Sequence, residues 1–305
     1  MLGLVVNPVS GHGKGRYVWD TVRQELNRQN ILFCYKITQC AGETTLLTQE
    51  LLTQDEIDTL VVIGGDGTVH EAVNGLYQSQ RLTTTRFGFI PAGTGNDFAK
   101  GHHIPTDPRK ALKLLLDVHV PTPIDLLESD GNISVNCIGA GFDAVVARNT
   151  NEAIHKKAFN RLSLGKISYL LSAAKAFFTF RPFTATVQVD EESHHFSTVW
   201  MIVSSNIPYF GGGMKINPLA ICDDGQADVI VIHSLNRMKL VSIFISIYSG
   251  KHMEHPAVSI FKGSHIQIHT QEPHFVQSDG EISTAQSLNI RILPQALQFL
   301  KPITI

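Results

Sequence analysis

The sequence predicts an α/β nucleotide-binding domain with a mainly parallel sheet, followed by a β-rich, antiparallel, sandwich-like second domain. Three observations carry that expectation. Apolar runs at residues 2–6, 60–63 and 87–90 read as buried strands. Each leads through a glycine-bearing loop into a helix-like stretch: Asn7-Pro8-Val9-Ser10-Gly11, Gly64-Gly65-Asp66-Gly67-Thr68 and Pro91-Ala92-Gly93-Thr94-Gly95-Asn96-Asp97. Beyond Pro121-Thr122-Pro123 alternating strand-like runs replace that rhythm, so the boundary is placed there.

Along the first part, residues 16–29 set Val18, Trp19, Val22 and Leu26 on one helical face. Residues 33–37 are strand-like. Residues 43–52 and 110–116 read as helices, the latter opened by Thr106-Asp107-Pro108 as cap and first turn. In the second part, Asp130-Gly131 is a hairpin turn between runs 125–129 and 132–138. Runs 185–189, 228–232 and 265–269 alternate as strands, interrupted by helical stretches at 153–178 and 237–248. The expected domains are residues 1–122 and 123–295.

Parallel strands bring their carboxyl ends to one sheet edge, so the three loops converge there. Glycine lets backbone N–H groups approach phosphate oxygens, and the helix N-terminus beyond adds positive dipole. Three such loops within the first hundred residues point to nucleotide binding.

With 305 residues each domain has room for its own core. Hydrophobic content of 43% and a net charge of −2 argue against disorder and give no signal for nucleic acid. Cys34, Cys40, Cys137 and Cys222 have no metal or CxxC spacing and read as small core residues in a reducing cytoplasm. No segment is long enough to span a bilayer, and residues 1–6 lack the basic start of a signal peptide. Oligomeric state leaves no mark in the sequence.

The series NPVSGHGKG, GGDGTVHEAVNGL and PAGTGNDFAK, with GGGMKINPLAICDDGQAD and Asp279-Gly280-Glu281 further on, resembles the diacylglycerol kinase catalytic family. That family also contains sphingosine and ceramide kinases, and the compact chain is most similar to its soluble bacterial lipid kinases. The resemblance runs from Asn7 to Glu281. It implies an ATP-dependent, Mg²⁺-requiring kinase acting on a hydroxyl of a membrane lipid, diacylglycerol foremost. It also implies a final strand, within about residues 296–305, that returns to complete the first domain. Such an enzyme is expected in the cytoplasm, transiently at the inner face of the membrane.

Site residues are carried over on matching positions. Asn7, Pro8, Val9, Ser10, Gly11, Thr38, Gly65, Asp66, Gly67, Thr68, Val69, His70, Glu71 and Thr94 would contact the nucleotide, with Asp66 arranging phosphates and magnesium. A helix-capping aspartate and a surface threonine are the plain alternatives for Asp66 and Thr38. The Asp223-Asp224-Gly225-Gln226 turn offers hard oxygen donors suited to Mg²⁺. By resemblance the ligands are the Asp224 carboxylate and the carbonyls of Ile221 and Gln226; a simple hairpin turn is the alternative. Glu281, beyond a tight turn, takes the role of proton acceptor for the lipid hydroxyl. An exposed turn glutamate would look the same, and Asp279 has no certain role.

Two rivals stand beside this reading. An NAD kinase shares GGDGT, though the first and third loops argue against it; a non-catalytic nucleotide-binding regulator would need none of Asp66, Asp224 and Glu281. Gly139-Ala140-Gly141-Phe142-Asp143-Ala144 fits GxGxxA but lacks the later acidic residue for a ribose, and reads as a glycine-rich bend. There is no GxxxxGK[ST]. His252 and His255 lack a third zinc ligand. Finally, residues 148–181 carry Arg148, Lys156, Lys157, Arg161, Lys166, Lys175 and Arg181 against Glu152 alone, net +6. That segment is either a solvated basic face or a docking surface for anionic lipid.

Overall fold

The structure is a computed structural model that describes residues 1–54, 56–118, 120–155 and 174–302. Four strands open the chain: β1 (Leu2–Val6), β2 (Phe33–Ile37), β3 (Thr59–Gly64) and β4 (Arg86–Pro91). They pair in parallel in the order β2-β1-β3-β4. Every residue of β3 is buried, as befits a strand covered on both faces. The helices around it are α1 (Ser10–Arg28), α2 (Glu43–Leu52), α3 (Asp66–Gln78), α4 (Asp97–Gly101) and α5 (Pro108–Asp117). Val18, Trp19, Val22 and Leu26 of α1 are buried, as their spacing predicts. Asp107 caps α5 by accepting from the Lys110 N–H at 2.9 Å, with Pro108 in the first turn.

The second region contains β5 (Thr122–Ser129), β6 (Asn132–Ser134), β7 (Cys137–Gly141), β8 (Phe183–Val189), β9 (Glu192–Ser205), β10 (Tyr209–Phe210), β11 (Met214–Lys215), β12 (Ala227–His233), β13 (Val258–Gly263), β14 (His265–Ser278) and β15 (Glu281–Phe299). Its pairings are antiparallel, in the order β13-β12-β9-β7-β14-β15. β8 bridges β9 and β14, so these long strands are shared between two layers of a sandwich. Irregular register between His269 and His274 bends β14 within the sandwich, and another between Leu293 and Leu297 precedes the part of β15 that reaches the first sheet. Among the described residues it also carries α6 (Phe142–His155), a helical stretch over residues 174–179 and α7 (Arg237–Ile247).

Several expectations change. Pro121-Thr122-Pro123 is no free linker: Thr122 and Pro123 pair with Phe299 and Gln298 in β15. The returning strand does complete the first sheet, with Gln298 and Phe299 parallel to Arg86 and Phe87, but it ends at Phe299. The helix expected from residue 153 already begins at Phe142. The GxGxxA stretch is not a bend but the end of β7 running into α6, because Gly141, at φ 111°, turns the chain from strand to helix. Residues 156–173, with Lys156, Lys157, Arg161 and Lys166, lie outside the described residues. All four cysteines are free, and Cys40 is exposed rather than in the core.

Candidate active site

The three loops meet at the carboxyl edge of the parallel sheet. The Asn7 amide donates to the Thr68 hydroxyl at 3.3 Å, and the Ala92 N–H to the Gly64 carbonyl at 2.6 Å. Gly11, at φ +57°, packs so closely that a Cβ would stand 2.2 Å from the Ala92 carbonyl oxygen. Any other residue would push the first loop off the third. Asn96, also left-handed, folds the third loop by accepting from Gly93 N–H and donating to its carbonyl, both at 2.9 Å. At the mouth, α3 opens at Asp66 and Gly67, and nothing lies within 4 Å of where a Gly67 Cβ would be. This open, amide-rich helix start, with exposed Val9 and Thr94 and half-buried Pro8 and Ser10 around it, fits a polyphosphate.

Asp66 accepts from the Phe98 N–H at 3.0 Å. Its removal from water, with the Asp97 charge beside it, pushes its pKa up to about 6. Asp97 accepts from Lys100 at 3.1 Å and from the Gly212 N–H of the second domain at 2.6 Å. That last contact closes the sandwich onto the phosphate edge.

From the other side comes the turn between β14 and β15. Asp279 and Gly280 have φ of 50° and 97°, the two left-handed positions of a tight two-residue hairpin. The Asp279 side chain has no exposed surface. It accepts from the N–H groups of Val135, Asn136 and Cys137 at 2.7, 2.9 and 3.0 Å, and from His70 Nδ1 at 3.0 Å. Burial disfavours the His70 imidazolium, but the hydrogen bond and charge of Asp279, with Glu281 adding to them, outweigh it and raise its pKa. Asp279 is thus a brace that fixes the turn, and Glu281 emerges exposed as the first residue of β15.

Asp66, Asp97, Asn136, Asp143, Gly212 and Asp279 line one cavity of about 220 Å³ between the regions. Asp143 is buried there: one oxygen accepts from Gln277 at 3.3 Å, the other has no partner among the described residues, and burial raises its pKa to about 6. Of the expected nucleotide residues, Gly65, Asp66, Gly67 and Thr68 surround this mouth, and Asn7 and Gly11 join it through the contacts above. Thr38 is buried at the end of β2, its N–H on the Val6 carbonyl at 2.9 Å. Three residues have other employment. The Val69 side chain is fully buried in the first core, and His70 serves Asp279. Glu71 accepts from Gly42 and Thr44 N–H at 3.2 and 3.0 Å, capping α2.

The Asp223-Asp224-Gly225 turn lies apart from the cavity. Asp224 accepts from Gln226 N–H at 3.1 Å and is paired with Lys262 at 2.5 Å. Asp228 stands 3.8 Å from the same ammonium, and its buried Oδ2 has no hydrogen-bond partner among the described residues. Buried Asp125 ties this turn to β15 by accepting from Gly225 N–H and Gln295 N–H, each at 2.7 Å. The donors suit a hard cation, and the orphaned Asp228 oxygen is an acceptor for one. Lys262 competes for those oxygens. His252, by contrast, is a buried structural residue whose Nε2 donates to the Ile216 carbonyl at 2.8 Å.

Residues 1–128 match the diacylglycerol kinase catalytic domain, and residues 136–301 match the YegS C-terminal NAD kinase beta sandwich-like domain. The chain belongs to the diacylglycerol kinase catalytic family. It is 31% identical over 308 residues to the Bacillus subtilis protein named "Putative lipid kinase YtlR", covering 96% of this chain and 97% of that one. It is 25% identical to a diacylglycerol kinase of Staphylococcus carnosus, over 98% and 94% of the two chains. Its fold matches a crystal structure of a diacylglycerol kinase from Bacillus anthracis with TM-score 0.75, at 23% identity over 99% and 97%, a likeness of fold alone. Within a lipid kinase family, Asp97 and Asp143 are site features to which the motifs gave no role, and the pairing of His70 with Asp279 is a contact that neither residue's motif announced. Asp143 stood in the rejected GxGxxA pattern, where the residue following a β7-to-α6 turn was the available signal.

Proposed function

We propose that the protein is an ATP-dependent diacylglycerol kinase that phosphorylates the free hydroxyl of its lipid to give phosphatidic acid. One observation carries this reading: the phosphate-loop edge with Asp66 and the rigid Asp279-Gly280 turn, which Glu281 follows, line one small, acidic cavity. The first-domain loops would hold the nucleotide, with backbone amides at the start of α3 against its phosphates. Bound ATP would supply the γ-phosphoryl group, and a Mg²⁺ held beside Asp66, separate from any ion at the acidic turn, would neutralise its charge. Glu281 accepts the proton as the lipid oxygen bonds to phosphorus and the bond to the ADP oxygen breaks. Asp143, with its unpartnered oxygen, orients the hydroxyl-bearing end of the lipid. Labelled ATP offered with a lipid panel and with NAD tests the proposal. Label in phosphatidic acid is the expected result; label in NADP, or in no acceptor, overturns it.

If Asp66 works as a carboxylate, kcat/KM should fall as pH drops through about 6, since that ratio follows the free enzyme's ionisations. The folded-state pKa is raised, so ionised Asp66 burdens the fold above that pH and the burden is relieved as pH falls. Asp66→Asn should therefore be inactive yet no less heat-stable at pH 7. A flat profile from pH 5 to 8 would exclude the assignment.

The acidic turn would hold Mg²⁺ through Asp224 and the carbonyls of Ile221 and Gln226, bracing the second domain. Because Lys262 already pairs with Asp224, the melting temperature of the parent should respond only weakly to magnesium against EDTA without nucleotide. Lys262→Gln should melt lower in EDTA and regain stability with magnesium, whereas Asp224→Ala should not respond. Equal responses by all three proteins would remove Asp224 from any metal site.

A further inference from the structure

The outward face of α7 carries a stripe that solvent does not favour. Met238, Val241, Ile245 and Tyr248 are 76%, 41%, 70% and 63% exposed. Their spacing of three, four and three residues sets them along one side of the helix. Leu240, Ile243 and Ile247, on the opposite side, are buried in the second core. The inner face thus accounts for the folding of α7 and leaves the outer apolar stripe unexplained.

Charge indicates what covers it. From Arg237 to Phe261 the sole acidic residue is Glu254, against Arg237, Lys239 and Lys251. Lys239 and Lys251, near the two ends of the helix, are exposed. Arg237 donates to the carbonyls of Phe177 and Phe180, which fixes a second exposed group beside the start of α7: Phe178, 75% exposed, with Lys175 and Arg181. Apolar residues along one side with lysines at the margins suit a helix lying in the plane of a bilayer, whose anionic headgroups answer the charge.

The cavity supplies an independent reason. At about 220 Å³ it has room for the hydroxyl-bearing end of a lipid, whereas pockets that engulf even a drug-sized ligand run to roughly 300–1,000 Å³. Acyl chains therefore need an apolar medium outside the cavity. Phe244 of α7 packs on Phe142 with ring centroids 5.0 Å apart, and Phe142 adjoins the cavity-lining Asp143. α7 stands one layer of side chains from the cavity wall.

We infer that the outer face of α7 is the surface by which this protein docks on an anionic bilayer, with Met238, Val241, Ile245 and Tyr248 entering the interface and Lys239 and Lys251 meeting the headgroups. The reason for docking rests on the lipid-kinase reading, but binding itself is measured without turnover. The probe is sedimentation with vesicles of phosphatidylcholine containing phosphatidylglycerol, and with phosphatidylcholine alone. Met238→Ser/Ile245→Ser/Tyr248→Ser, all at exposed positions, should keep the parent's melting temperature and bind mixed vesicles about tenfold or more weakly. Lys239→Gln/Lys251→Gln should weaken binding about fivefold per lysine at low salt, with little effect on neutral vesicles. Both variants should phosphorylate a short-chain lipid in solution as the parent does and lose activity on vesicle-borne lipid. Vesicle binding by the triple variant equal to that of the parent overturns the inference. So does a parent that is dimeric and a triple variant that is monomeric with vesicle binding unchanged, which would make the stripe a contact between copies. Should no protein phosphorylate any lipid while the binding differences persist, the kinase reading fails and the docking surface stands.

Discussion

Glu281→Gln should lower kcat by about 10² or more, the usual loss when a general base is removed, while nucleotide affinity stays within a factor of about two. The separation follows from geometry. Glu281 leads off β15 from the second region, whereas the nucleotide loops belong to the first sheet. The turn before it is fixed by Asp279, so a change at residue 281 alters chemistry without moving the turn. Single-turnover kinetics with a soluble short-chain lipid, beside a fluorescent-nucleotide titration, would read both numbers. A variant that turns over near the parent's rate would remove Glu281 from the role of base. One that loses nucleotide binding as well would place it in the phosphate site.

Asp279→Ala should be among the most destabilising single substitutions in the chain. It strips the acceptor from three backbone N–H groups and from the largely buried His70, around a carboxylate that has no exposed surface of its own. Breaking one buried charge pair typically costs about 3–5 kcal/mol, and orphaned amides add to that. Denaturant unfolding would measure it. The pH dependence carries a second signature. His70 has a raised pKa in the fold, so its pairing with Asp279 contributes fully below the unfolded histidine value and fades as pH rises through the folded one. Asp279→Asn, which keeps the shape, should lose less stability than alanine and should flatten that dependence. A loss of under about 1 kcal/mol for alanine would mean that other contacts hold the turn.

Most of the first domain was legible because its signals are local. An apolar strand ending in a glycine loop specifies its own exit, and the spacing of Val18, Trp19, Val22 and Leu26 specifies a buried face. Asp107 and Pro108 mark the start of α5 within three residues. The tight Asp279-Gly280 turn was equally plain, since few residues accept two successive left-handed positions. Local chemistry of this kind needs no partner to be read.

The remainder is decided by distant pairs. His70 meets Asp279 across 209 positions, and Gly212 meets Asp97 across 115. Neither contact has a periodicity that would announce it. Glu71 looked like a phosphate neighbour by its motif, yet α2 packs against α3 and takes its carboxylate as a cap. Cys40 reads as an apolar residue until its loop is seen to face solvent. The stripe on α7 has the same origin. Its period shows a helix, but which apolar residues face the core depends on the sheet beneath them, and only the assembled fold leaves Met238, Ile245 and Tyr248 outside. By itself the sequence determined the strands and loops of the first sheet and the family, but it left β9, β13 and most of β15 unassigned. Tertiary packing decided which of the charged and apolar residues are braces, which line the cavity and which face the surroundings, because burial and pairing are properties of neighbours that the chain brings together only when folded.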